Sequence, residues 1–416
     1  MIINGTLDLS NCGELKDISK ITEIKEDLIL PGFDTDKNIK INPKLKVNNL
    51  IFYIAEYEKT NSYIFPKINS VQKLDLNNFT LLKKIPEGIN YSNLKELNIS
   101  WTIISELPDN MFNLEKLDCS YNKNISVIPK SSKKLKSINI NGTLIKELPE
   151  LNTTLKDLEI GGSQIRKLPE KLKILNNCNI SNLEISELPK EIKIGGNLYI
   201  NRNNFKTLPK NIEVNGYISI YGCPNLEYIP DTLKVIPYLG NNKSLKRIPK
   251  QILLNQEELN KMNYHSSYLD LKNCESIENL GTLKRIGLSI DLTNCFSLKT
   301  FSQLEYVNGW LHAENCKNLL YILKLKKVKG SLILKNCKLL KSLGTLNFVE
   351  KDLNLRGCDS LTLLPENLEI GGNIIISRNN KIKNLNKFKD KIQVYETYIN
   401  NLYKTNREQW KREVEL

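Results

Sequence analysis

Short strand-like triplets, in which two apolar residues flank one polar residue, recur along the chain at a nearly constant spacing. The clearest are Leu74-Asp75-Leu76, Leu97-Asn98-Ile99, Leu117-Asp118-Cys119 and Ile138-Asn139-Ile140. Equivalent positions follow every 20 residues at Leu158, Cys178, Leu198 and Ile218, and every 21 residues at Ile290, Leu311, Leu332, Leu353 and Ile374. Alternation with a period of two is typical of a strand with one buried face. With weaker repeats at Leu7, Leu28 and Leu50, the pattern predicts a solenoid of about eighteen rungs.

The segments that return from one strand to the next follow two patterns. Up to residue 250 each contains a Leu-Pro or Ile-Pro pair, such as Leu107-Pro108 or Leu188-Pro189, and proline favours an extended return. From about residue 265 a cysteine follows the strand instead, at Cys274, Cys295, Cys316, Cys337 and Cys358. An asparagine often ends the strand, for example Asn78 and Asn273, and we expect its amide to bond backbone groups of neighbouring turns.

These patterns divide the chain into five segments. We predict irregular N-terminal repeats over 1–70, Leu-Pro repeats over 71–250, a short helical insertion over 251–264, cysteine-containing repeats over 265–380 and a cap over 381–416. The predicted fold class is an α/β-type repeat solenoid, a leucine-rich-repeat horseshoe. Its strands should form one continuous parallel sheet on the concave face, with extended or 3₁₀ return segments. Tyr398, Leu402, Trp410 and Val414 share one helical stripe, which predicts a C-terminal capping helix.

The segment Leu188-Pro189-Lys190-Glu191-Ile192-Lys193-Ile194-Gly195-Gly196-Asn197-Leu198-Tyr199-Ile200 resembles the short Leu-Pro type of leucine-rich repeat found in bacterial effector proteins. It is also similar to leucine-rich-repeat arrays of large viruses and phages. The resemblance covers nearly the whole chain and implies the fold, in a family whose members bind diverse partners. Some such effectors carry a ubiquitin-ligase domain with a catalytic cysteine. Only about 35 residues follow the last clear repeat, too few for that domain, and Cys358 lies inside a repeat.

Composition limits the remaining classes of function. The chain has 416 residues, a net charge of +14 and nine cysteines, and it contains no apolar run long enough for a membrane span. The N-terminus, Met1 to Asp8, has no basic and apolar leader, so we expect reduced thiols and a cytoplasmic location, within a host cell if the protein is viral or an effector.

Catalytic and metal sites find little support in the sequence. The cysteines recur every 21 residues, and a solenoid places equivalent residues in a line, whereas zinc needs four converging ligands. We therefore expect buried thiols, no metal and no cofactor. The two histidines, His265 and His312, form no recognisable nucleophile–base set. Gly161-Gly162, Gly195-Gly196 and Gly371-Gly372 lack the Lys-Ser/Thr of a phosphate loop and are interpreted as turns. The sequence predicts a protein that is not an enzyme.

The positive charge is placed mainly on the return segments. Outward strand positions from Leu74 to Leu158 carry five acidic residues, Asp75, Glu96, Asp118, Asp157 and Glu159, against Lys73 and Lys116. Lysines gather on the returns instead, as in Lys133-Lys134-Leu135-Lys136 and at Lys167, Lys171 and Lys173. They are either a solvated coat or a basic surface for nucleic acid or an anionic membrane.

A neutral aromatic surface suggests the alternative mode of binding. The outward positions of the rungs at Leu198 and Ile218 carry no charge, and tyrosine and tryptophan recur there and farther along the chain. Such residues dominate protein interfaces. The predicted partner-binding residues are Tyr199, Tyr217, Tyr221, Tyr238, Tyr268, Trp310 and His312. We predict a monomeric, non-enzymatic scaffold that binds a protein partner through its concave sheet. The alternatives are electrostatic binding of nucleic acid or membrane by the lysines and, third, substrate recognition within a ubiquitin-ligase-like effector.

Overall fold

The protein is a parallel β-solenoid of about 16 turns. The computed structural model describes residues 1–12, 15–31, 39–53, 68, 71–87, 89–233, 235, 237–248 and 268–394. The chain forms two compact units. Unit 1 comprises Met1–Ile185 and Lys193–Tyr199, and unit 2 comprises Ser186–Ile192 and Ile200–Leu416.

The strands are short and follow one another along the chain. Those up to Tyr199 are β1 (Ile2–Ile3), β2 (Leu7–Asp8), β3 (Glu23–Pro31), β4 (Lys46–Tyr53), β5 (Lys73–Asp75), β6 (Glu96–Asn98), β7 (Lys116–Asp118), β8 (Ser137–Asn139), β9 (Asp157–Glu159), β10 (Lys171–Ile174), β11 (Cys178–Asn179), β12 (Glu191–Ile194, divided between the units) and β13 (Leu198–Tyr199). In unit 1, β1, β3 to β9, β11 and β13 pair in that order, and β2 pairs with β3. We call strands of this face front strands.

Unit 2 contains two rows of strands. Its strands are β14 (Asn211–Val214), β15 (Ile218–Ser219), β16 (Tyr268–Asp270), β17 (Arg285–Ile286), β18 (Ser289–Asp291), β19 (Tyr306–Val307), β20 (Leu311–His312), β21 (Lys327–Val328), β22 (Leu332–Ile333), β23 (Phe348–Val349), β24 (Leu353–Asn354), β25 (Glu369–Ile370), β26 (Ile374–Ile376) and β27 (Ile392–Val394). Front strands β16, β18, β20, β22, β24, β26 and β27 form a seven-stranded sheet, and β17, β19, β21, β23 and β25 form a five-stranded sheet on the return side.

The core consists of the inward residues of successive rungs. Leu74 pairs with Leu97 and Leu97 with Leu117, so equivalent leucines stack with at most 1% of their surface exposed. In unit 2, Ile290, Leu311, Leu332 and Leu353 stack in the same register and are fully buried. The predicted strand alternation is therefore confirmed, and the described residues have the features of a parallel solenoid.

In most rungs, one residue just after the front strand has a backbone conformation in the left-handed region, with positive φ. Asparagine or glycine usually occupies this position, as at Asn294 (φ 62°), Asn315 (φ 59°) and Gly357 (φ 67°). These two residue types tolerate positive φ best. The predicted role of asparagine needs correction, because the amides mainly bond one another. Nδ2 donates to Oδ1 of the preceding rung along Asn241, Asn273, Asn294, Asn315 and Asn336, which we call the asparagine ladder.

The α/β character predicted from the repeat is wrong. The described residues are nearly all strand and turn, with 3₁₀ segments at Tyr91–Asn93 and Leu385–Lys391. A rung of 20 or 21 residues contains a front strand, a return segment and the two turns that join them, which leaves no length for a helix. The helical insertion over 251–264 and the stripe from Tyr398 to Leu416 lie outside the described residues, and the segment boundaries remain predictions. Within the described part of the chain, no helix is long and apolar enough to cross a membrane.

The prediction of one continuous front sheet is also wrong. The sheet that begins at β16 does not include β15, and the rung between them contributes an isolated bridge between Ser219 and Tyr238. Pro237 precedes Tyr238 and has no N–H to donate to the following rung, so one hydrogen bond is missing there, although the Asn241 N–H still donates to the Lys272 carbonyl at 2.8 Å.

Candidate functional site

Five of the predicted site residues lie close together in unit 2. The rings of Tyr221 and Tyr238 stack with centroids 5.8 Å apart, and Tyr268 lies 5.3 Å from Trp310. Trp310 in turn packs against His312 at 4.1 Å. All five are half-buried at the outer face of the front strands. We call these five residues the aromatic cluster.

A small residue allows two of these rings to meet across a rung. Tyr268 pairs in register with Ser289, and Trp310 follows one rung later. The Ser289 side chain is too short to separate the rings, and its hydroxyl accepts a hydrogen bond from the Trp310 backbone N–H at 3.1 Å. Gly330 lies beside this bond, and a Cβ there would lie 2.7 Å from the Trp310 nitrogen. The backbone of the following rung therefore packs directly beneath the tryptophan.

Asp270 is the buried carboxylate of the cluster, with only 5% of its surface exposed. It accepts hydrogen bonds from the Lys272 backbone N–H at 2.9 Å and from the Tyr238 hydroxyl. Burial raises the pKa of Asp270, and the charge of Asp291 on the next strand raises it further. Burial, with the bond to Asp270, also raises the pKa of Tyr238. A Cβ on Gly240 would meet the carboxylate at 2.5 Å, so glycine provides the space for it.

The remaining predicted site residues are Tyr199 and Tyr217. Tyr199 is half-buried on β13 of unit 1, and Tyr217 is half-buried immediately before β15 of unit 2. His265, which we considered as a catalytic residue, lies outside the described residues. Among the residues that the structure does describe, no group of three or more His, Cys, Asp or Glu side chains could hold a metal ion.

A second aromatic pair escaped the sequence analysis. Trp101 and Tyr121 in unit 1 stack with centroids 4.4 Å apart and are 51% and 48% exposed. Both have positive φ, 58° and 57°, at the position that asparagine or glycine holds in other rungs. Bulky residues rarely adopt this conformation. An aromatic residue at the turn position of the repeat was the signal that could have identified them.

The cysteines of the second repeat type are core residues. Their thiols donate to backbone carbonyls of the preceding rung, for example Cys316 to Leu292 at 3.2 Å and Cys337 to Ala313 at 3.0 Å. All nine cysteines are free, and only Cys12 is exposed. Burial raises the pKa of Cys274 to about 12, so its thiol is protonated at neutral pH. Thiols of this kind are poor nucleophiles and poor metal ligands.

Several lysines on the return side are paired with the neighbouring rung. Lys136 forms an ion pair with Glu115 at 2.8 Å, and Lys134 donates to the side chain of Asn113 at 2.7 Å. The same spacing recurs in unit 2, where Lys299 pairs with Glu278 and Lys326 with Glu305, each at 2.9 Å. These contacts link consecutive rungs. They also give partners to some of the return-side lysines, which we considered as a basic surface for electrostatic binding.

Comparison with known proteins finds structural neighbours alone. No family model and no curated relative matches the chain. A leucine-rich-repeat protein of Leptospira interrogans is 18% identical with a TM-score of 0.32, over 93% of this chain and 94% of that one. The functional domain of InlJ from Listeria monocytogenes, which includes a cysteine ladder, is 12% identical with a TM-score of 0.25, over 85% of this chain and 67% of that one. The plant peptide hormone receptor RGFR1, in complex with RGF2, is 15% identical with a TM-score of 0.27, over 95% of this chain and 79% of that one.

Proposed function

We propose that this chain is a non-enzymatic scaffold that binds a protein partner through the outer face of its front strands, at the aromatic cluster of unit 2. The observation that carries the proposal is the set of five half-buried rings that pack against neighbouring rings, one of which, Tyr238, donates to the buried carboxylate of Asp270. Preorganised rings offer large contact areas and lose little conformational entropy when they bind. Half-buried aromatic residues of this kind are enriched among the residues that dominate binding energy.

The negative charge around the cluster favours, as the partner, a protein with a basic residue over a nucleic acid. Asp270 and Asp291 lie on adjacent strands of the same face, and both would repel phosphate groups. Glu314, one strand farther, is paired with Lys335 at 2.7 Å. An arginine or lysine of the partner would lie between aromatic faces and next to two carboxylates, which favours a cation electrostatically.

The cellular context of the proposal follows from the repeats. Leu-Pro segments such as Leu188-Pro189 support an effector-like or virus-like repeat protein, and the buried reduced thiols suit a cytoplasmic location. The packing of His312 against Trp310 supports a recognition role for this histidine rather than a catalytic one. A partner-recognition role within a ubiquitin-ligase assembly is one form that the proposed scaffold function could take.

The proposal is tested by affinity capture with the full chain at about 0.3 M salt, a concentration that weakens phosphate contacts steeply. The triple variant Tyr221→Ala, Trp310→Ala, His312→Ala should lose the captured partner, with affinity reduced by about thirtyfold or more. These side chains are half-buried and stack on one another, so the variant should remain folded with a modestly lower melting temperature.

Two control variants separate the alternatives. Trp101→Ala with Tyr121→Ala removes a more exposed aromatic pair in unit 1 and should leave capture intact. Lys133→Gln, Lys134→Gln and Lys136→Gln reduce the return-side charge and should also have little effect. If the lysine variant loses the partner and the aromatic variant retains it, the electrostatic function replaces the one proposed.

A further inference from the structure

A cavity of about 750 Å³ opens on the return side of unit 1. Its wall includes half-buried Leu148, Leu151 and Leu168 near the surface and buried Leu155 and Leu172 below. It reaches Leu158, the inward residue of front strand β9. The cavity therefore extends from the surface into the interior of the rung, and its volume is in the usual range for small-molecule sites.

A change in the repeat pattern accounts for this empty space. Counting from the Leu or Ile before proline, the earlier returns bury a leucine at the seventh position after it, at Leu114, Leu135 and Leu155. The next return instead buries Leu172 and Ile174, at the fourth and sixth positions, and exposes Leu175. In the structure Leu155 pairs with Ile174, so the buried side chains of the two rungs align there. Two residues earlier, the rung that begins at Leu148 has half-buried Thr153, whereas the next rung has buried Leu172. The smaller threonine leaves interior space that leucine fills in the next rung.

The mouth of the cavity is basic and its wall is apolar. Lys146, Lys167, Lys171 and Lys173 line it, against the single carboxylate of Glu147. The Thr153 hydroxyl already donates to the Leu135 carbonyl. A peptide inserted here would bury backbone amides with few partners, which is unfavourable. An acyl chain has no such groups, and a terminal carboxylate would lie among the lysine amines.

We propose that this cavity binds the anion of a long-chain fatty acid, with the hydrocarbon chain directed toward Leu158 and the carboxylate held by Lys146, Lys167 and Lys173. The site is independent of the aromatic cluster. It requires no covalent step, because the ligand is held by burial of its methylene groups and by ion pairs at the mouth.

The test uses fluorescence titration of the full chain with cis-parinaric acid, followed by displacement with oleate. Saturable binding at one site per chain is expected. Affinity for saturated fatty acids should rise about threefold to fourfold per added methylene until the cavity is full. Oleyl alcohol, which has the same chain without the charge, should bind about tenfold more weakly.

Three variants assign the site. Leu168→Trp fills the cavity and should reduce affinity by about tenfold or more. Lys146→Gln, Lys167→Gln and Lys173→Gln together should reduce it by about tenfold, by loss of ion pairs at the mouth. The matched control, Lys84→Gln, Lys123→Gln and Lys130→Gln, removes the same charge from exposed positions that do not line the cavity and should bind normally.

A diazirine-labelled fatty acid gives a readout that does not depend on the stability of a variant. Cross-links in the wild-type chain should map to residues 146–174. Cross-links confined to other segments would overturn the proposal, as would normal binding by a folded Leu168→Trp variant. Equal affinity for oleate and oleyl alcohol would also contradict it. Displacement of the probe by an alternating Glu-Leu peptide at lower concentrations than oleate would identify the occupant as peptide and reject the fatty acid.

Discussion

Asp270 is a residue whose charge opposes folding. Its carboxylate is buried beside Asp291, and both the burial and the neighbouring charge raise its pKa from the ordinary 3.8. Folding therefore favours the protonated acid, and ionisation of Asp270 reduces stability above its folded pKa. Two hydrogen bonds, from Lys272 N–H and from Tyr238, offset only part of this effect. A residue retained at such a cost is consistent with a role in binding a cation.

Replacement of Asp270 by Asn should therefore stabilise the protein at neutral pH. The gain in melting temperature should be absent well below pH 3.8, where the acid is protonated in both states, and should grow as the pH rises through the raised pKa. Asp8→Asn is the control, because hydrogen bonds from Ser10 lower the pKa of Asp8 and the variant should not gain stability. Melting curves between pH 3 and pH 8 decide the matter. A lower melting temperature for Asp270→Asn at neutral pH would mean that the charge stabilises the fold.

The asparagine ladder shows how one turn position joins successive rungs into an element. Asn315 donates to Asn294 at 2.9 Å and accepts from Asn336 at 2.9 Å, while its own φ of 59° lies in the left-handed region. One residue type thus supplies both the backbone conformation and the contact to the two neighbours. The sequence predicted asparagine at this position from the repeat, but it did not show that the amides bond along the stack.

Two substitutions at Asn315 should separate these contributions. Asn315→Gly retains an easy left-handed conformation and loses the ladder bonds, which should destabilise the protein by about 1–3 kcal/mol. Asn315→Ala loses the same bonds and adds about 1–2 kcal/mol for alanine in the left-handed region. Urea denaturation should therefore rank wild type above Gly and Gly above Ala. If alanine proved as stable as glycine, the conformational role of the position would be refuted.

Front strands were predictable and return strands were not, for a physical reason. Leu311 and Leu332 are the inward residues of their front strands, and burial on one side leaves a regular alternation in every such triplet. The strands of the five-stranded return sheet have only two residues each, as in Tyr306–Val307, where Val307 is the one buried side chain. A two-residue strand shows no alternation in the sequence, so it can be recognised only by its pairing with the neighbouring rung in the structure. The α/β prediction failed for a different reason, because a rung of 20 or 21 residues leaves no length for a helix on the return side.

At the scale of the whole molecule, the register of the rungs brought most of the predicted site together. Tyr268 and Trp310 occupy the same outward position two rungs apart, and His312 lies two residues after Trp310 on the same face, so their proximity followed from the spacing of 21 residues. The burial of Asp270 could not be predicted in this way. It depends on Tyr238 and Gly240, which precede it by about 30 residues across a stretch without a clear repeat. The exposed pair Trp101 and Tyr121 was missed because it departs from the repeat consensus.

Each rung packs mainly against the next, so damage to one rung should remain local. Leu311 is fully buried, and Leu311→Ala should destabilise its rung by about 2–5 kcal/mol through loss of contacts and formation of a cavity. The buried thiols report this directly, because a protonated, buried cysteine reacts with iodoacetamide only when its rung opens. In the wild type, Cys12 should be labelled rapidly and the eight buried cysteines slowly.

The Leu311→Ala variant should accelerate labelling at Cys295, Cys316 and Cys337, the thiols of its own and the adjacent rungs, while Cys119 and Cys178 in unit 1 keep their wild-type rates. Mass spectrometry of labelled peptides measures all nine sites in one experiment. Leu339→Ala, at a leucine that is 45% exposed, is the matched control and should change none of the rates. Acceleration by the same factor at every buried thiol would show instead that the solenoid opens as one cooperative unit, because only global unfolding exposes rungs so far apart in sequence to the same extent.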